Sequence, residues 1–142
     1  MKLQKSSRLA IFALMELASN PDVQVSVSEI GEKFNVSSHH LAKVMHTLGR
    51  ANMVRSSRGV GGGYSFSGNE KRITLLDIIM LFEDTSGADC ALENPEDVTQ
   101  AEWALCQVVN EIDDIAKATL GAITIATMLK QIERNKRTSK RI

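Results

Sequence analysis

Arg58-Gly59-Val60-Gly61-Gly62-Gly63-Tyr64 is the stretch on which the reading of this chain turns. Consecutive glycines let a backbone take positive φ and pass close to another backbone. Arg55 and Arg58 beside them bring charge that a phosphate attracts. Alone, such a run could close any hairpin, so its meaning comes from what precedes it.

Two short amphipathic helices precede it. Ser26-x-x-Glu29 has the form of a capping box, and Val27, Ile30 and Phe34 then recur on one face before Asn35 allows a turn. Ser37 caps a second helix over about 38–51, with Leu41, Val44, Met45 and Leu48 inward and Ser38, His39, Lys43, His46 and Arg50 outward. That outer face is short, polar and basic, as expected of a helix lying in a DNA major groove. An earlier helix spans about 6–19, built on Leu9, Phe12, Ala13, Leu14 and Leu17 and closed by Asn20-Pro21-Asp22. Strands at about 53–57 and 63–67 flank the glycine turn, which therefore reads as the wing of a winged helix-turn-helix domain over 1–83. The partner expected is double-stranded DNA. Ser38, His39 and Lys43 are expected to read base edges, with His40 and Arg50 on the same helix. Arg55, Arg58 and the amides of Gly61 and Gly62 should hold phosphates or reach the minor groove, and Lys5 and Tyr64 complete the candidate set.

Charge is distributed accordingly. The net charge is zero, yet residues 1–72 carry ten Lys/Arg against five acids, residues 73–133 carry two against twelve, and the stretch from Arg134 adds five bases and no acid. One end is suited to a polyanion and the middle is not. The three histidines, at 39, 40 and 46, are poorly spaced for a metal and lie on the reading helix. No nucleophile–base constellation is present, and the glycine run lacks the Lys-Ser/Thr of a phosphate loop, so an enzyme is not expected. Met1-Lys2-Leu3-Gln4-Lys5 has no apolar run behind it and the longest uncharged stretch, Ala118 to Leu129, is too short for a bilayer. A cytoplasmic location without a membrane partner is expected. No internal repeat is found.

Beyond the wing, Thr74 and Asp77 form a second capping box ahead of Leu75, Ile78, Ile79 and Phe82. Residues 84–98 lack periodicity and read as an effector or sensor loop. Thr99-x-x-Glu102 opens a long helix to about Gly121, in which Ala101, Leu105, Val108, Ile112, Ile115 and Thr119 follow one another at spacings of 4, 3, 4, 3 and 4. A heptad seam of this kind needs a partner helix, so Leu105, Val108, Ile112 and Ile115 are the expected interface of a homodimer. Gly121 should break the helix, Thr124 should restart a short one within the 99–133 unit, and the basic 134–142 tail should be disordered. Trp103 should pack the loop against the long helix. The fold expected is mainly α with a small β-wing.

Taken from Met1-Lys2-Leu3 through Val36-Ser37-Ser38-His39-His40-Leu41-Ala42-Lys43-Val44 to the glycine wing and Thr74-Leu75-Leu76-Asp77-Ile78-Ile79, the chain resembles the IscR/NsrR-type winged-helix regulators, the Rrf-two family. The resemblance implies a homodimer with crossing long helices, two winged helices on a palindromic operator, and an effector site in the loop before the long helix. Iron–sulfur members place three cysteines there. In this chain Cys90 stands where the first would be, the second has no counterpart, and Cys106 comes about one turn later than the usual third. Arg8 and Phe12, at positions where some relatives offer a further ligand, cannot ligate. Cys90 and Cys106 leave three readings open: ligands of an iron–sulfur cluster completed by oxygen donors from Asp89, Glu93, Glu96 or Asp97 or from the other subunit, a thiol sensor that forms a reversible disulfide or reacts singly, or a loop thiol plus a small buried apolar residue.

Overall fold

The computed structural model describes residues 2–85 and 96–140. Its elements run α1 (Lys5–Ser19), α2 (Val27–Phe34), α3 (Ser38–Arg50), β1 (Val54–Ser57), β2 (Gly63–Phe66), α4 (Leu75–Ile79), α5 (Gln100–Ala122) and α6 (Ile125–Ser139). The two strands pair antiparallel, Val54 opposite Phe66 and Ser57 opposite Gly63. The fold is thus mainly helical with a two-stranded wing.

α1 is the central helix. Ala10, Ala13, Leu14 and Leu17 are fully buried along it, where they meet Leu41, Met45 and Leu48 of α3, Ile78 of α4 and Ile125 of α6 in one aliphatic core. Small alanines let the neighbouring helices approach, and the leucines fill the space between them. Phe12 lies at the edge of this core, stacked on Phe34 of α2 with ring centroids 5.4 Å apart.

The helix starts follow local chemistry. Thr74 and Asp77, and again Thr99 and Glu102, make both halves of a capping box. At Ser26 the serine oxygen accepts from Glu29 N at 3.1 Å, one half of a capping box. Asn35 takes the left-handed conformation (φ 53°) that ends α2.

Two expectations are corrected. Gly121 does not stop α5, which runs to Ala122. A Cβ at Gly121 would make only an ordinary contact, 3.5 Å from Leu76 Cδ2, and the helix ends just beyond it when Ile123 turns extended and its carbonyl accepts from Leu75 N at 2.9 Å. The basic stretch from Arg134 is not a disordered tail within the described residues, because α6 continues to Ser139. Arg134, Lys136 and Arg137 are good helix formers, Leu129 and Ile132 are half-buried, and Lys136 and Arg137 lie in the last turn at the negative end of the helix dipole. Trp103 is 49% exposed, and most of the loop it is expected to pack lies outside the described residues. The α5–α6 link is fastened to the segment before α4: Ile125 N donates to Ile73 O at 3.0 Å and Ala126 N to Glu70 O at 2.9 Å. The end of the long helix is therefore joined directly to the winged half.

Candidate nucleic-acid interface

The turn between α2 and α3 is set by one close approach. Val36 N donates to Gly31 O at 2.8 Å, and a Cβ at Gly31 would come within 2.8 Å of Val36 O. Only glycine fits there without displacing backbone. Ser37 then caps α3 by accepting from His40 N at 3.3 Å. Sequence reading did not single out Gly31, because a glycine inside a helical pattern carries no local sign of which distant atom it meets.

With Leu41, Val44, Met45 and Leu48 buried, α3 turns Ser38, His39, Lys43, His46 and Arg50 outward. His40 differs: its Nε2 is buried and has no hydrogen-bond partner among the described residues. The wing is tied beside this helix. Val25 and Tyr64 exchange backbone hydrogen bonds of 2.9 and 2.8 Å, so β2 is clamped to the segment that leads into α2. Gly63 permits this, since a Cβ there would lie 2.5 Å from Val25 O.

The wing tip is shaped by Gly59 (φ 103°) and Gly61 (φ 77°), which adopt conformations other residues avoid. Gly62 N donates to Gly59 O at 2.9 Å. Its amide is therefore spent inside the turn and is not available to a phosphate, contrary to the sequence expectation. Val60 is fully exposed at the tip, an apolar side chain that the sequence reading passed over. Between α3 and the wing lies a notch of about 320 Å³, lined by His46, Arg50, Arg55 and Tyr64 among others. Lys43, Arg50, Arg55 and Arg58 are exposed and make no ion pair among the described residues. No Asp or Glu occurs between Glu32 and Glu70, so nothing on α3 or the wing neutralises them. This face can hold a polyanion, with the notch as a seat for a phosphate. Lys5 stands apart on the first turn of α1. Its neighbours Gln4 and Ser7 donate to the Glu83 carboxylate, which ties that terminus to the segment after α4 rather than to α3 or the wing.

The long helix presents a second surface. Leu105, Val108, Ile112 and Ile115 are 65, 53, 62 and 60% exposed. Trp103 and Val109 extend the same apolar exposure. Cys106 is the one buried side chain of α5, and its sulfur is engaged in a disulfide, with Asn110 Nδ2 3.9 Å away. Cys90, Asp89 and Glu93 lie outside the described residues, while Glu96 and Asp97 are exposed. Among the described residues no three His, Cys, Asp or Glu side chains stand together as metal donors. In its disulfide form Cys106 offers no thiolate to iron, so only the reduced protein could present these residues to an iron–sulfur cluster. No described helix is long and apolar enough to cross a membrane.

Residues 3–131 match the family model described as Rrf2: Iron-dependent Transcriptional regulator. The chain is 48% identical over 141 residues to the proposed HTH-type transcriptional regulator BadM of Rhodopseudomonas palustris, covering 99% of this chain and 89% of that protein. Among solved structures it is similar to CymR, the global cysteine regulator of B. subtilis, with a TM-score of 0.76 and 27% identity over 92% of this chain and 98% of that one. It is also similar to T. potens IscR, with a TM-score of 0.71 and 26% identity over 95% and 90% of the two chains.

Proposed function

The chain belongs to the Rrf2 family of transcriptional regulators, which bind DNA and are not enzymes, and from that premise we propose that it acts in the cytoplasm as a homodimer on a palindromic operator. The observation that carries the dimer is the exposed apolar strip Leu105, Val108, Ile112 and Ile115 on a helix of 23 residues. A contiguous strip of this kind is costly in water and self-complementary about a twofold axis. A twofold dimer presents two α3 helices to two half-sites. Ser38, His39 and Lys43 read base edges. Arg50, Arg55, Arg58 and the Gly61 amide hold the backbone, with Tyr64 lining the notch and Val60 placed for the groove floor. The test is operator binding by gel shift alongside sedimentation. A wild type that is monomeric at micromolar concentration, or that shows no preference for a palindromic site over random duplex, contradicts the reading.

The signal enters, in this reading, through Cys90 and Cys106. The disulfide at buried Cys106 supports a thiol switch, with Cys90 as the natural mate in a chain of two cysteines. In a reducing compartment such a bond is regulatory rather than structural. Its formation releases two protons and two electrons to an oxidant such as hydrogen peroxide, which leaves as two waters. Because Cys106 sits on the helix proposed to form the dimer, its redox state can bias the spacing of the two reading helices. The family's description as iron-dependent favours a second reading, in which the reduced thiols and loop carboxylates hold an iron–sulfur cluster. Visible absorption with iron and sulfide assay of protein purified without oxygen separates the two. If Cys90→Ser and Cys106→Ser respond to oxidant and to iron depletion as the wild type does, both readings fail.

A further inference from the structure

The helical continuation of α6 beyond Arg134 builds a groove at the base of the wing. Its floor and one wall are α6, and its other wall is the turn carrying Glu70 and Lys71. Lys130, Arg134 and Arg137 are spaced i, i+4 and i+7, so they share one face of α6. Lys71 faces them from a turn that is held in place, its own amide donating to Asn69 Oδ1 at 3.0 Å and the Glu70 carbonyl accepting from Ala126 N at 2.9 Å. Thr124 and Thr127 add hydroxyls, while Ala126 and Leu129 give an apolar lining.

The charge of this groove is not balanced from within. None of Lys71, Lys130, Arg134 and Arg137 makes an ion pair among the described residues. Of the two carboxylates present, Glu133 is drawn to Lys136 at 3.3 Å, which leaves Glu70. Converging cations of this kind repel one another, and an anion between them relieves that repulsion. Two guanidinium groups one turn apart suit the oxygens of a phosphate. The groove is open to solvent and its volume, about 630 Å³, can seat a small molecule. None of the residues that line the groove belongs to α3 or to the β1–β2 hairpin assigned to DNA.

We propose that this groove binds a small organic phosphate, its phosphate held by Lys71, Arg134 and Arg137 and its apolar part over Ala126 and Leu129. The site is separate from α3, the wing and the cysteines, and the proposal does not depend on how those work.

The test uses the full chain and 1-naphthyl phosphate as probe, with 1-naphthol as the uncharged control. Titration followed by amide chemical shifts should show saturable binding at millimolar or lower concentration, with shifts centred on Lys71, Thr127 and Arg134. The double variant Arg134→Gln, Arg137→Gln should lose at least about tenfold in affinity, as expected when charge-assisted hydrogen bonds are removed. Glutamine keeps helix propensity, so unchanged far-UV circular dichroism is expected for that variant. Lys43→Gln, on the reading helix, should bind the probe as the wild type does. The proposal is overturned by non-saturable binding, by equal affinity for 1-naphthol, or by an unaltered double variant. It is also overturned if the double variant lowers operator affinity and its salt dependence while the probe fails to bind, since the groove then belongs to the DNA surface.

Discussion

Replacing Ile112 by alanine isolates the contribution of the α5 strip to assembly. Ile112 is 62% exposed in the single chain, so most of its side chain is available to a partner. Full burial of an isoleucine contributes about 1.5–3 kcal/mol, and the exposed fraction therefore about 1–2 kcal/mol in each chain. A twofold interface loses the contribution twice, about 2–4 kcal/mol per dimer, which at about 1.4 kcal/mol per decade weakens dimerisation by about 30- to 700-fold. Alanine is the best helix former and leaves α5 intact, so the loss reads on association alone. Sedimentation equilibrium across a concentration series measures it, and gel shift on a palindromic operator should show the same variant weakened where the monomer predominates. Ile112→Asp should be more severe, because a carboxylate would have to be buried. An unchanged dimer dissociation constant for Ile112→Ala, with unchanged helicity, would refute the reasoning and place any interface elsewhere.

Further expectations concern the winged half and the long helix's cap. Arg58→Ala and Lys43→Ala should each weaken operator binding by about 1–3 kcal/mol, measured by fluorescence anisotropy at fixed salt, and unchanged affinity for both would remove the DNA-face assignment. Gly31→Ala should lower stability to denaturant by about 1–3 kcal/mol, because its Cβ meets the Val36 carbonyl at 2.8 Å, whereas Gly49→Ala, whose Cβ has only Val54 Cγ2 at 4.0 Å, should raise it by about 0.5–1 kcal/mol. A stabilised Gly31→Ala would contradict the packing argument. The backbone N–H of Thr99, and secondarily its hydroxyl, hold the Glu102 carboxyl below its ordinary range. A depressed folded value means stabilisation present above the unfolded value and lost as pH falls through the folded one. The protection factors of amides at the start of α5, which are exchange rates corrected for the intrinsic pH dependence, should thus fall on acidification in the wild type, and the step should vanish in Glu102→Gln.

The elements legible in the sequence are those whose causes are local. A cap joins residues three apart, so Ser37, Thr74 and Thr99 mark helix starts without knowledge of the rest of the fold. The glycine tip and the 4, 3, 4, 3, 4 spacing of α5 are likewise written along the chain, and they sufficed for the winged fold and the exposed strip. Tertiary structure alone decided what depends on approaches between distant residues. Gly31 and Gly63 matter because of Val36 O and Val25 O, and α5 ends where the Ile123 carbonyl meets Leu75 N. The Gly62 amide is consumed by a turn that charge and composition do not foretell. The stretch from Arg134 looked like a solvated tail, since its own periodicity is weak. It is helical because Leu129 and Ile132, a turn earlier, are partly buried, and that extension brings Arg134 and Arg137 opposite Lys71, more than sixty residues away in the chain. Helix periodicity records which side of a segment is apolar, but which surface it meets is set by the packing of the whole chain.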